Sequence, residues 1–235
     1  FAGTGSVIVA GGGSLSAQSI VAGSSLGGSA NISATGNSRL IATGGSAQLV
    51  ANATLSVDGT SSIEIGAAGT TISGAVLVDA GATFDFNNGG RIVGNVVDNG
   101  TLTVNGTVGT ATVTGTVSGT GTIALASGAT VALSAIVGSG PTIAFQAGAA
   151  ETLILGSPNN GLANRIVGFA PGYRIEFGPN STISSVSQTG SSVTVSMSIG
   201  GAPTFSYALP NLGDGSMGVA YGVDATTGYA YIQGT

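Results

Sequence analysis

The sequence predicts an all-β protein: a parallel β-helix (β-solenoid) with coils of about twenty residues and a β-rich C-terminal cap. Three observations predict it. An internal repeat runs through the middle of the chain, each repeat pairs a glycine turn with an alternating strand, and the composition changes near residue 140.

The repeat settles the architecture. Val57-Asp58-Gly59-Thr60-Ser61-Ser62-Ile63-Glu64-Ile65 is echoed by Val78-Asp79-Ala80-Gly81-Ala82-Thr83-Phe84-Asp85-Phe86. Val97-Asp98-Asn99-Gly100-Thr101-Leu102-Thr103-Val104 and Val117-Ser118-Gly119-Thr120-Gly121-Thr122-Ile123-Ala124-Leu125 follow, so the leading valine recurs in steps of 21, 19 and 20 residues. A half-length echo starts at Leu125 and ends at Leu133.

In each unit the apolar-x-apolar segment puts alternate side chains on opposite faces of a strand. Glycine inside a strand costs roughly 0.5–1 kcal/mol relative to alanine, so most of the 43 glycines belong in turns. Short strands around Ile72 and Val76, and around Ile92 and Val96, complete the coils. One coil cannot bury its own apolar residues, but coils stacked about 4.8 Å apart can. An antiparallel sandwich with hairpins every 8–12 residues is the alternative, and it gives no reason for a twenty-residue register. Val57, Ile63, Val78, Phe84, Val97, Leu102, Val117 and Ile123 are therefore expected to point inward.

Upstream of residue 57 the register blurs, although Ser16-Ala17-Gln18 and Ser46-Ala47-Gln48 read as copies, and Ile20, Ile32, Leu40, Leu49 and Leu55 keep recurring. Residues 1–140 are read as one solenoid of roughly seven coils, about 30–35 Å long. Residues 141–235 form the β-rich capping region. All six prolines lie at 141 or later, and nine of the twelve aromatics follow Pro141.

Composition excludes several functions. Charged residues make up 6% of the chain, and Lys, His, Cys and Trp are absent. Arg39, Arg91, Arg165 and Arg174 are scattered, whereas nucleic acid requires clustered cations. No apolar run approaches the length of a membrane-spanning helix. A chain that begins at Phe1 without Met reads as a processed protein or a segment of a longer one. A thiol-free chain fits an oxidising exterior.

Without His or Cys there is no Ser–His or Cys–His pair, and zinc loses its usual ligands. Carboxylates remain. Asp58, Asp79 and Asp98 are expected to form one column on successive coils, and Glu64 and Asp85 a second, outward one. The columns read either as a calcium-binding or carbohydrate-cleaving ridge, or as turn aspartates bonding the backbone beside Gly59, Gly81 and Gly100; the turn reading is preferred. No catalytic, cofactor-binding or metal-binding residue is assigned, and no cofactor is expected.

The threonine runs Thr101-x-Thr103, Thr110-x-Thr112-x-Thr114-x-Thr116 and Thr120-x-Thr122 invite an ice-binding face, but Glu64, Asp85 and Ala124 stand where Thr103 would need threonines. Tyr207, Tyr221, Tyr229 and Tyr231 read as packing residues before a sugar-stacking surface. Leu212-Gly213-Asp214-Gly215 reads as a turn, and Gly11-Gly12-Gly13 lacks the aspartate of a calcium-binding nonapeptide. The Asn-x-Ser/Thr triplets at Asn31, Asn52, Asn99, Asn105 and Asn180 read as chance.

Segments such as Gly115-Thr116-Val117-Ser118-Gly119-Thr120-Gly121-Thr122-Ile123 resemble repeats in passenger domains of bacterial autotransporters and related large surface adhesins. Ile166-Val167-Gly168-Phe169-Ala170-Pro171-Gly172-Tyr173-Arg174-Ile175-Glu176-Phe177, after Thr152-Leu153-Ile154-Leu155-Gly156, is similar to a module of the same secreted proteins, with Tyr173 in place of an aspartate. The resemblance implies a parallel β-helix at the bacterial cell surface. The expected function is a non-enzymatic secreted protein with a structural or adhesive role, as an adhesin segment or as a subunit stacking end to end into extracellular fibres. Its expected partners are its own copies or other surface and matrix components, carbohydrate among them. A polysaccharide-active β-helix enzyme and an ice-binding solenoid are the alternatives.

Overall fold

The computed structural model describes residues 4–22, 29–34, 39–49, 53–57, 62–65, 71–87, 89–106, 109–126, 128–136, 140–156, 164–201, 204–209, 212 and 217–235. Among them the chain is all-β, a solenoid of parallel strands stacked coil on coil. None of the described residues forms a helix long and apolar enough to cross a membrane.

One sheet, A, runs in spatial order through β1 (Thr4–Val9), β3 (Ser29–Ala34), β5 (Ala53–Val57), β8 (Ala75–Val78), β11 (Val96–Asp98), β13 (Thr110–Ser118), β15 (Thr130–Ile136), β17 (Thr152–Leu155) and β19 (Arg174–Phe177). It ends on β24 (Ala230–Gly234) and β23 (Val219–Val223), and β7 (Thr71–Ser73) and β10 (Arg91–Val93) branch from it beside β13. Sheet B runs through β2 (Ser14–Ala22), β4 (Arg39–Leu49), β6 (Ser62–Ile65), β9 (Thr83–Asn87), β12 (Thr101–Asn105), β14 (Thr122–Leu125), β16 (Thr142–Phe145) and β18 (Ile166–Val167). Sheet C is antiparallel: β20 (Ser181–Thr189), β21 (Ser192–Ile199) and β22 (Phe205–Leu209).

The alternating sequence makes columns. Ile72, Ile92, Val113, Leu133, Leu155 and Phe177 stack in one buried row. Phe84, Leu102, Ile123, Ile143 and Ile166 form another in sheet B, flanked by Phe86, Val104, Leu125 and Phe145. Each side chain thus covers the one below. Full burial of a side chain of this size contributes about 1.5–3 kcal/mol.

Where β7 passes into β8, β10 into β11, and across the middle of β13, the coil bends on a glycine column. A Cβ on Gly94 would lie 2.0 Å from the Gly74 carbonyl oxygen, and one on Gly115 would lie 2.0 Å from that of Gly94. Only glycine lets successive backbones approach so closely. Beside the bend, the Asn95 side-chain oxygen accepts the Thr116 N–H at 3.0 Å, tying one coil to the next.

Three expectations need correcting. Val97 does not point inward; it is 38% exposed. Its neighbour Val96 is buried in register with Val76 and Val117, and Val78 pairs with Asp98. A strand alternates with period two, so this one-residue offset reverses the face of both residues. Second, Ser46 pairs with Ser19 and not with Ser16: Ser16 pairs with Ile41, and at the register shift β4 spends Thr43, Gly44 and Gly45 where β2 spends Gln18 alone. Third, parallel pairing continues past residue 140, through β16 and β18 in sheet B and through β17 to Phe177 in sheet A. The change near 140 is one of composition, and the pairing direction changes only after Phe177.

There β24 pairs with β19 antiparallel, and β23 with β24. Sheet C buries Val193, Val195, Met197, Tyr207 and Leu209, and β20 lies against β23 and β24. Tyr207 meets Phe177 edge-on, ring centroids 5.6 Å apart, so sheet C sits on the last residue of the column that begins at Ile72.

Candidate functional site

Asp79 and Asp98, expected in one column, are set apart by the length of the corner that follows each. Between the Val78 position and the start of the next strand at Thr83, the chain spends Asp79, Ala80, Gly81 and Ala82, closed by a hydrogen bond from the Ala82 N–H to the Asp79 carbonyl at 3.0 Å. One coil later, Asn99 and Gly100 alone separate Asp98 from Thr101. The shorter corner leaves Asp98 on the inner face, fully buried, while Asp79 stays partly exposed. Asp58 lies outside the described residues.

Asp98 Oδ1 accepts the Gly100 N–H at 3.1 Å, the side-chain turn bond expected of these aspartates; Oδ2 is buried without a hydrogen bond. Burial pushes its carboxyl up to about 7, against the lowering effect of the Gly100 and Leu102 backbone N–H groups. The coil above keeps glycine beside it, since a Cβ on Gly121 would lie 2.7 Å from Asp98 Oδ1.

The second acid column has the expected register: Glu64 pairs with Asp85, and Asp85 with Thr103, followed by Ala124 and Ala144. The ice-binding array is interrupted at these positions. The column two residues before it is more uniform in register, running Ser62, Thr83, Thr101, Thr122 and Thr142, so among the described strands from β6 to β16 of sheet B one row of hydroxyl residues is continuous and its neighbour is not. Arg91 is exposed on sheet A, in line with Thr71 and Thr112. No group of three or more acids is placed to hold a metal ion among the described residues.

Two further buried acids carry no repeat signal. Glu151 is fully buried just before β17, neither carboxylate oxygen has a hydrogen-bond partner, and burial pushes it up to about 7. Glu176, on β19, belongs to a polar cluster that fastens the closing hairpin. Arg174 Nη1 lies 2.8 Å from Asp224 Oδ2, its Nε donates to Gln233 Oε1 at 3.1 Å, and its guanidinium sits 4.4 Å from the centre of the Tyr231 ring. Asp224 is held low, first by the Thr227 and Thr226 N–H groups that it caps. Burial holds Glu176 high, reinforced by the Asp224 charge and opposed by Arg174.

This cluster was not legible beforehand, because Arg174 and Asp224 are fifty residues apart in the chain. Its two unlike carboxylates are the nearest approach to an acid–base pair among the described residues. The arginine, tyrosine and glutamine that surround them are engaged with one another.

The tyrosines are dispersed. Tyr207 is buried under sheet C, where burial pushes its phenol up, and Tyr231 lies under Arg174. Tyr221 is 48% exposed and pairs with Ile232, so it faces away from Tyr231. Tyr173 has a structural role: its hydroxyl donates to the Gln146 carbonyl at 3.0 Å and accepts the Gly148 N–H at 3.2 Å, and its ring stacks on Phe145 at 5.7 Å. Asn99 also serves the stack, its Oδ1 accepting the Thr120 N–H at 3.2 Å. Asn52 and residues 213–215, read as a turn from the sequence, lie outside the described residues, and Leu212 is buried.

No protein-family model, no curated protein and no solved structure matches the chain.

Proposed function

We propose that this chain is a non-enzymatic, secreted bacterial surface protein whose solenoid serves a structural or adhesive role, as a length of adhesin or as a subunit that stacks end to end. The observation that carries this reading is the contrast between its ends. β1 and β2 each pair on one side only, and Ile8 and Leu15 there are 62% and 38% exposed. An unpaired rung of this kind is a template for one more coil, from the same polypeptide or from another copy. At the opposite end sheet A keeps a single edge, β23, with Val223 64% exposed and no charged residue in its sequence, Val-Ala-Tyr-Gly-Val. Sheet B ends there on β18, which pairs on one side among the described residues, so contact between the two ends would extend the sheets, and such a head-to-tail contact does not close on itself.

Low charge supports this reading, because few like charges oppose contact between copies. The placement of the outer acids supports it too: they follow the coil period, Glu64 pairing with Asp85 one coil on.

The test is negative-stain microscopy with sedimentation velocity on the purified chain, on Val7→Pro, which removes a ladder donor from β1, and on Val223→Lys, which charges the other edge. Rods that lengthen with concentration are expected, with both variants remaining single rods of unchanged circular dichroism. Single wild-type rods at every concentration, together with no binding to cell-surface polymers, would overturn the proposal. So would polysaccharide cleavage abolished by Asp85→Asn.

A further inference from the structure

Among the described residues three acids are buried, and Glu176 has a cation beside it, whereas Asp98 and Glu151 have none there. Asp98 is enclosed by β8, by the Asp79–Ala82 corner below, and by the Gly119–Gly121 corner above. Asp79 is the ionisable residue in those elements and is itself acidic. Glu151 lies between the Ala129 corner, whose carbonyl accepts the Thr152 N–H at 2.9 Å, and the start of β19, where Tyr173 and Arg174 follow one another. The Arg174 guanidinium is turned to Asp224, Gln233 and Tyr231. Three carboxylate oxygens, Asp98 Oδ2 and both of Glu151, are thus buried with neither a donor nor a cation. An ionised carboxylate in such a place costs several kcal/mol, and a neutral acid far less.

We infer that Asp98 and Glu151 are a pair of proton-operated fasteners: the coils containing them close fully when the two acids are neutral, and acidification consolidates the solenoid. Both acids ionise near neutral pH in the folded chain, as against about 4 when unfolded. A raised carboxyl contributes its full stability below the unfolded value and loses it as pH climbs through the folded value. The working window is therefore about pH 4.5 to 7, and each acid changes the unfolding constant by up to about tenfold per pH unit within it. Burial also raises Glu176, so it adds a smaller contribution of the same sign. With no lysine or histidine in the sequence, moderate acid adds no positive charge to the surface.

The experiment is urea unfolding of the full chain between pH 4.5 and 8, for the wild type and for Asp98→Asn with Glu151→Gln. Asparagine keeps an oxygen for the Gly100 N–H, and glutamine nearly keeps the shape of the acid. The wild-type midpoint is expected to rise as pH falls from 8 to 5. The double variant is expected to be the more stable protein at pH 8, with less than half the pH slope. A wild-type midpoint that is flat or falls over that range would overturn the inference, as would a double variant that keeps the full slope. Should the double variant not fold, the wild-type slope still decides. Failure of this test leaves the end-to-end reading untouched, since that is judged by rod length.

Discussion

The middle of the solenoid and its C-terminal closure solve opposite problems. Between β7 and β17 an apolar side chain lies over an apolar side chain from coil to coil, and from β7 to β13 a glycine lies over a glycine at the bend. From β19 onward the described residues form no further coil, and the chain changes its means. Pairing turns antiparallel, a separate sheet covers the final column, and Arg174 pairs with Asp224 beside a tyrosine ring. A repeating interior needs only small side chains of the right period, whereas an end must satisfy groups that no following coil will satisfy. The aromatic and proline residues accordingly crowd into the last part of the sequence.

The comparison breaks most visibly in the middle. Ile123 is fully buried between Leu102 and Ile143. Ile123→Asp places an unpaired charge there and should cost more than about 4 kcal/mol, enough to unfold several coils. Circular dichroism and urea unfolding read this directly. The glycine bend comes next. Gly115→Ala drives a Cβ into the Gly94 carbonyl and should cost about 3 kcal/mol, although alanine is otherwise the easier residue in a strand. A Gly115→Ala protein as stable as the wild type would mean that the coils stand further apart at the bend than described.

These positions also mark what was legible in the sequence. The period, the alternation and the short strands around Ile72, Val76, Ile92 and Val96 follow from side-chain chemistry repeated in each coil, and all four of those residues are buried. The pairing of Glu64 with Asp85 follows in the same way. The Val96–Val97 doublet does not, because either valine suits the inner face and the choice rests on a corner two residues shorter. Asp98-Asn99-Gly100 imitates Asp79-Ala80-Gly81 in sequence, yet one aspartate is buried and the other partly exposed. The closing cluster is illegible for a different reason. Residues distant in the chain meet there once, and a motif without a repeat leaves no period to find.

A smaller effect is expected where the two regions meet. Tyr173→Phe keeps the ring stacked on Phe145 but loses both hydroxyl bonds, to the Gln146 carbonyl and from the Gly148 N–H. The loss should be about 1–2 kcal/mol, since the Gly148 N–H is left without that partner. It should appear as faster proteolysis within residues 146–150, with the middle coils as protected as before.

The smallest effect, and the sharpest test of the comparison, concerns Arg174. The Arg174 and Asp224 side chains are 32% and 18% exposed, so solvent screens the pair and it contributes about 1 kcal/mol or less. Asp224→Asn removes the charge but leaves an oxygen for the Thr226 and Thr227 N–H groups, and should be nearly neutral. Arg174→Met removes more. It takes the donor from Gln233, the cation from the Tyr231 ring, and the one positive charge that lowers Glu176. It should therefore cost more than Asp224→Asn, and raised salt should narrow the gap between wild type and variant. Amide exchange localises the effect: β23 and β24 should exchange faster in Arg174→Met, while β9, β12 and β14 keep their protection. Equal loss of protection in both regions would mean that the closure and the coils unfold as one unit, and that the division between a repeating interior and a separately fastened end is mistaken.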